Sequence, residues 1–353
     1  MQKGDRIATT GRPSYRQLTR EVMALSSVHS VLISVLGMFF VVLVVNLVAI
    51  GYLNHYTTNR GYWLVRRKWD ILQGLDAPVE WLILGDSSGN QGLVPERLRE
   101  KLGGTAINVC TVGNLTLLED VWMLETYIGR LGPPQNVLIV HAYDVWPREI
   151  GLAFVAKIPF PWRFFSSLPA SVGLKERAEI LLLRYVPLYS ENVTLSKTIL
   201  AGVRSPGSLF KDCFRLQSSG YMKSSKSLPE WVEYDAWVHI KFITENDFVL
   251  SDVNRSAMDR LIALADRYGI NVYVANGPLY KGLCESEQFG RYFAQVRKEL
   301  ERFADSSEHI HYLPTVATFP ADQMQEADHV IYPAAEIYTD QVVQEIMQVG
   351  GGR

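Results

Sequence analysis

Five short, mainly apolar runs recur along the chain, at residues 81–84, 105–110, 136–140, 270–276 and 311–313, and each closes on glycine or polar residues. Apolar runs of this length, lacking strict alternation, are the pattern of strands buried on both faces of a parallel sheet. Between them the apolar positions take helical spacing, clearest over 258–265 and 287–303, and a last helix is expected after residue 332. Strands alternating with helices predict an α/β fold, a three-layer parallel sheet flanked by helices. On such a sheet ligands bind at the carboxyl ends of the strands, where Ser87, Gly113, Tyr143, Asp144 and Asn276 all fall.

The N-terminal pattern is of another kind. From Val22 to Asn59 there is no Asp, Glu, Lys or Arg, and residues 31–52 are almost wholly apolar. A helix needs about 20 apolar residues to cross a bilayer. The run exceeds the roughly 7–15 residues of a signal-peptide core and lacks a small-residue cleavage site, so an uncleaved anchor over 29–53 is expected. No amphipathic stripe suggests a soluble core helix. Asn46 suits a helix–helix contact, and Tyr52, Tyr56, Tyr62 and Trp63 suit an interfacial belt. The near flank carries Lys3, Arg6, Arg12, Arg16 and Arg20 against Asp5 and Glu21, and the far flank Arg60, Arg66, Arg67 and Lys68. This is a small bias toward a cytoplasmic N-terminus over 1–28. Residues 54–77 read as a juxtamembrane linker whose basic and aromatic residues either rest on headgroups or face solvent.

Past Asp144 the alternation breaks, and 150–250 read as an insertion, a lid or docking region, between 78–149 and 251–350 of the α/β domain. Its opening is rich in proline and aromatics, including Trp162, and Trp231 and Trp237 lie in a weakly periodic stretch. With 35 basic and 37 acidic residues and no basic stripe, nucleic-acid binding is not expected. Three cysteines, Cys110, Cys213 and Cys284, make no even disulfide framework. No cofactor motif or metal-ligand spacing is seen.

The first apolar run stops at Gly85-Asp86-Ser87-Ser88-Gly89-Asn90, a strand-to-helix turn that presents a serine, and Asp328-His329 comes late in the chain. A serine hydroxyl needs a base to take its proton, and the base works best when a carboxylate fixes its tautomer. Ser87 is the candidate nucleophile and His329 the candidate base. Glu326, three residues before His329, and Asp328, its neighbour, are both candidates to orient it.

This order resembles the SGNH/GDSL hydrolase superfamily over roughly 78–348, with the insertion unmatched. Gly85-Asp86-Ser87 matches the nucleophile block, and Gly113-Asn114 matches the glycine after the second strand. The resemblance implies oxyanion donors at the N–H groups of Ser87 and Gly113, with Asn114 or Asn90 as further donors. The third block departs: Tyr143 stands where the family has an oxyanion asparagine, and loss of one such donor costs about 2.7–4 kcal/mol. The fourth departs too, with Glu326 at the family's aspartate position. The resemblance implies an SGNH-like, flavodoxin-like fold and an esterase or O-acyltransferase outside a bacterial inner membrane. It would act on acyl groups, chiefly acetyl, of an envelope or exported polysaccharide, alone or beside a membrane-bound O-acyltransferase. A non-catalytic accessory subunit and a bilayer lipase or thioesterase are the alternatives.

Overall fold

The computed structural model describes residues 15–205 and 216–350, with side chains from His29 onward. Lys3, Asp5, Arg6, Arg12 and Cys213 lie outside the described residues, as do the side chains of Arg16, Arg20 and Glu21. In chain order the helices are α1 (Tyr15–His55), α2 (Arg60–Gln73), α3 (Ser87–Gly92), α4 (Pro95–Leu102), α5 (Thr116–Leu131), α6 (Leu152–Val155), α7 (Leu174–Tyr185), α8 (Pro187–Ser190), α9 (Asn192–Arg204), α10 (Pro229–Glu245), α11 (Asp252–Tyr268), α12 (Lys281–Cys284), α13 (Glu287–Ala304) and α14 (Ala334–Gly350). The strands are β1 (Trp81–Gly85), β2 (Ala106–Asn108), β3 (Asn136–His141), β4 (Asn271–Asn276), β5 (Leu279–Tyr280), β6 (Ile310–Leu313), β7 (Thr318–Phe319), β8 (Met324–Glu326) and β9 (His329–Val330).

Among the described residues, five strands form one parallel sheet in the order β2-β1-β3-β4-β6. This is the flavodoxin-like doubly wound order, whose reversal between β1 and β3 opens a crevice at their carboxyl ends. Successive side chains of one strand face opposite layers. Leu82, Leu84, Val137 and Ile139 enter the core under α2, α5, α11 and α13, while Ile83, Leu138 and Val140 enter the one under α4 and α14. Both faces are covered, which is why β1 and β3 read as unbroken apolar runs. On α13 the buried stripe Phe289, Tyr292, Phe293, Val296, Leu300 and Phe303 has the three- and four-residue spacing of one helix face. Truncating a fully buried leucine such as Leu84 to alanine costs about 2–5 kcal/mol.

The 54–77 stretch expected as a linker is instead largely α2, packed into the domain. Val65, Trp69 and Leu72 join the main core. Fully buried Lys68 donates from Nζ to the carbonyls of Asn108 at 2.9 Å and Gly220 at 2.7 Å. Trp69 Nε1 donates to Glu119 at 2.7 Å. The basic face supplies a buried structural lysine because its stem crosses apolar packing to reach carbonyls that the sheet leaves unpaired.

Within α1, residues His29–His55 form the one helix among the described residues long and apolar enough to cross a membrane, and that segment is almost entirely exposed on the protein. The insertion divides in two. Its first half, α6 to α9, packs toward α1 and α2, and its second half, a turn joined by a Leu216–Met222 bridge and then α10, packs toward β8, α12 and α13.

Candidate active site

β1 ends on Gly85, at φ +132°, where a Cβ would sit 1.9 Å from the Val140 carbonyl oxygen. Only glycine lets the strand end press so closely on β3. Asp86 then caps α3: its Oδ1 accepts from the Ser88 N–H at 2.8 Å and the Ser88 hydroxyl at 2.5 Å, and its Oδ2 accepts from the Ala142 N–H at 2.7 Å. Ser87 becomes the first residue of α3, half-buried, with a backbone N–H that the helix does not use.

Beneath this turn lies a buried charged cluster. His141 Nε2 is 2.6 Å from Asp120 Oδ2, and Asp120 Oδ1 accepts from the Gly85 N–H at 2.9 Å. His141 Nδ1 stands 3.6 Å from Asp86 Oδ2, beyond hydrogen-bond reach. Burial opposes charge on the imidazole, but Asp120 and Asp86 outweigh it and raise its pKa to about 10. Burial also opposes charge on Asp86, yet His141, Ser88 and the Ala142 N–H hold its carboxyl below the ordinary range. The turn that carries Ser87 is therefore braced by an Asp86–His141–Asp120 cluster. Sequence reasoning gave His141 and Asp120 no role; the one available signal was a histidine closing an otherwise apolar strand.

The histidine loop is the hairpin of β8 and β9, in which Glu326 pairs with His329. Its turn folds Asp328 back, so that His329 Nδ1 is 2.5 Å from Asp328 Oδ1 and 3.2 Å from Glu326 Oε2. Neither contact is an aligned hydrogen bond, since the ring nitrogen lacks a partner in the N–H direction. Burial lowers the affinity of the ring for a proton, but Asp328 first and Glu326 second overcome it and place its pKa at about 9. Asp328, despite burial, is held well below the usual carboxylate range by His329.

Ser87, Glu326 and His329 line a single cleft of about 630 Å³. α2 supplies one wall through Arg60, Gly61 and Leu64, and the insertion supplies another through Met222 to Lys226 and Trp231. Gln91 and Val112 complete the floor.

The other sequence candidates stand apart from this lining. Asp328 sits behind His329, and Asp86 is buried beneath Ser87. Gly113 follows Val112 and opens a short 3₁₀ turn; a Cβ on it would lie 2.9 Å from both Arg148 Nη1 and Val145. Asn114 is exposed, and its carbonyl accepts from Gly151. Asn90 is buried and directs Nδ2 at Met222 Sδ, 3.6 Å away. Tyr143 turns into the core, edge-on to Phe289 and Tyr292, its hydroxyl 2.8 Å from His239 Nδ1. Asn276 donates to Tyr312 and the Leu313 carbonyl, tying β4 to β6. Asp144 pairs with Arg148. Arg148 is a charge the sequence reading missed: its guanidinium stands against Gly113, and burial is outweighed by Asp144, with Asp86 and Asp328 adding, so its pKa is raised.

Ligating atoms of Glu326, Asp328 and His329 lie within 4.8 Å of one another, as do those of Asp235, His239 and Asp328. Carboxylate and imidazole donors suit a divalent cation. In the second group Asp235 accepts from the Ala327 N–H at 2.8 Å, a contact that ties the hairpin turn to α10, and His239 meets the Tyr143 hydroxyl.

No family model matches this chain, and no curated protein matches it.

Proposed function

We propose that this chain is a membrane-anchored SGNH-type serine esterase or O-acyltransferase acting on acyl groups, acetyl foremost, of an envelope or exported polysaccharide. The observation that supports it is the meeting of Ser87 and His329, with two carboxylates at Nδ1, on one cleft at the carboxyl edge of a doubly wound sheet. Ser87 Oγ attacks the acyl carbon while its proton passes to His329 Nε2. In this reading the oxyanion is met by the N–H of Ser87 and, as the resemblance implies, by that of Gly113, which follows the lining residue Val112, while Arg148, standing against Gly113, adds positive charge from behind in place of the family's asparagine. Nε2 then returns the proton to the leaving alcohol. The acyl group on Ser87 passes to water in an esterase, or to a glycan hydroxyl in a transferase. No hydrogen bond joins Ser87 to His329 among the described residues, and catalytic contacts of this kind commonly tighten only with substrate bound.

Glycan binding draws on α10. Trp231 lines the cleft, and Tyr234 and Trp237 continue from it along an exposed face, with neighbouring ring centroids 5.4 and 5.9 Å apart. Such a ladder offers apolar faces for the C–H surfaces of sugar rings. The rim carries Lys223, Ser224, Ser225 and Lys226, a lining that suits a polar acceptor better than a lipid tail. The anchor over 29–53 and an N-inside orientation would put this cleft on the outer side of a bacterial inner membrane, within reach of a membrane-bound O-acyltransferase. A second reading, an accessory subunit without catalysis, draws on the burial of Tyr143 away from the cleft. A fluorophosphonate probe decides between them: the active-site reading expects labelling of wild type and none of Ser87→Ala, whereas an unlabelled wild type favours the accessory subunit.

A further inference from the structure

Along α1 the buried residues Asn46, Ala49 and Leu53 form a stripe at three- and four-residue spacing, while most of their neighbours are exposed. The stripe faces the insertion. Asn46 Oδ1 accepts from the Leu188 N–H of α8 at 3.3 Å, and Thr198 of α9 meets Thr58 just beyond the helix end. Asn46 lies two turns before Leu53, the last apolar residue of the span, about 10 Å along the axis. α8 is therefore packed beside α1 at the depth an interfacial helix occupies, about 5–10 Å below the headgroup boundary.

The surface of this region has the matching chemistry. Between residues 180 and 200 the charged residues are Arg184, Glu191 and Lys197. Glu191 is buried against Lys157 and Arg66, and Arg184 donates to the carbonyls of Ala156 and Ile158. Facing outward are Leu182, Tyr189, Val193, Leu200 and Val203, the last 76% exposed. At the upper end of α1 a cavity of about 420 Å³ is lined by three cationic side chains, Arg66, Lys157 and Arg184, against two anionic ones, Asp70 and Glu191. With three cationic side chains against two anionic ones the cavity carries surplus positive charge, and with α1 across a bilayer it would stand near the phospholipid phosphates.

We propose that α8, α9 and the second half of α7, beyond its charged start at Lys175, Glu176, Arg177 and Glu179, form a collar against α1 seated in one leaflet, and that the cavity above it binds the phosphate of an anionic phospholipid. The inference rests on the membrane-anchor reading of α1 and is independent of the chemistry at Ser87. The apolar outer face of the collar is covered by acyl chains, and Arg66 and Arg184 meet the headgroup.

The test uses full-length protein in nanodiscs of phosphatidylcholine, alone or mixed with phosphatidylglycerol. Benzoylphenylalanine placed at Leu200 or Val203 should crosslink to lipid on illumination, as it should at Val45 within the span, and at Lys298 on α13 it should not. Crosslinking at Val45 but not at 200 or 203 would overturn the collar while leaving the anchor; no crosslinking at Val45 would instead remove the anchor reading itself. In native mass spectrometry phosphatidylglycerol should be retained over phosphatidylcholine, and Arg66→Gln and Arg184→Gln should each cut that retention about fivefold. Equal retention of the two lipids by wild type, or inorganic phosphate raising the melting temperature of detergent-solubilised protein as much as phosphatidylglycerol does, overturns the headgroup site. Because Arg66 also donates to the Leu53 carbonyl at 2.9 Å and Arg184 to those of Ala156 and Ile158, the paired substitutions Arg66→Lys and Arg184→Lys serve as folding controls and should keep most of the selectivity; losing it in a folded lysine variant counts against a charge-based site.

Discussion

Asp328 approaches His329 Nδ1 to 2.5 Å, closer than Glu326 at 3.2 Å, although Glu326 occupies the position three residues upstream. The side chain of Glu326 is 39% exposed and that of Asp328 14%. A carboxylate shielded from water acts more strongly on a neighbouring charge.

Asp328 is thus expected to be the orienting group. Asp328→Asn should lower turnover of p-nitrophenyl acetate by up to about 10⁴-fold, by analogy with the serine-protease aspartate, and Glu326→Gln should cost less than about tenfold. Equal losses in the two variants would return the question to an unassigned carboxylate. Pre-incubation with a chelator should leave the rate unchanged; inactivation reversed by added metal would make the same three side chains a cation site.

The pH profile should differ from that of an ordinary histidine base. With the pKa of His329 at about 9, the ring is protonated at neutral pH and must lose that proton to act. Activity should therefore keep rising from pH 7 toward about 9, not level off above the ordinary 6.5. Asp328→Asn should move the midpoint downward. A profile already flat at pH 7 would show that His329 is not held by its carboxylates in solution.

His141 makes a separate prediction about stability. Its folded pKa, about 10, exceeds the ordinary 6.5, so the folded state binds the proton more tightly. That stabilisation is fully present below about 6.5 and is lost as pH rises through about 10. Thermal melts should show an alkaline decline that flattens in His141→Gln. Identical slopes in both proteins would mean that the cluster carries no net proton.

Arg148→Ala should reduce kcat with little change in KM if its charge serves the developing oxyanion, by about 10²-fold as for loss of one oxyanion donor, and Arg148→Lys should recover part of the loss. A change in KM alone would give Arg148 a binding role.

Trp231→Ala should raise KM for an acetylated oligosaccharide several-fold while leaving p-nitrophenyl acetate hydrolysis near wild type, because stacking acts on the sugar and not on the acyl carbon. Loss of both activities together would point to collapse of the cleft wall.

How much of this was legible follows from where the information lies. β1, β3 and β4 could be read directly because strands covered on both faces leave unbroken apolar runs, and the glycine and serine that end β1 announce a turn by residue type alone. The long apolar helix over His29–His55 was legible for the same reason, being defined by composition. The brace under Ser87 was not, since Asp86, Asp120 and His141 are far apart in sequence and only the fold brings the three together. α10 was hidden because the exposed aromatics Trp231, Tyr234 and Trp237 blur its periodicity. α2 looked like a linker because Lys68 reads as a surface residue until its carbonyl partners are seen. The choice between Asp328 and Glu326 depended on the backbone of a two-residue turn, which side-chain spacing does not encode.

Only Tyr56 to Asn59 separate the end of α1 from α2, and α2 is itself a wall of the cleft. With α1 in a membrane, the cleft would ride at a fixed height over the lipid surface, with no slack leash to extend or retract. If the proposed acyl transfer holds, encounter with a bilayer-borne donor would become a search in two dimensions, set by lateral diffusion, and a polymer acceptor would have to be threaded to that height by whatever machinery delivers it. The same joint sets the limit for producing a soluble fragment: a cut made after α2 removes one side of the cleft, and only a cut between Tyr56 and Asn59 leaves it whole.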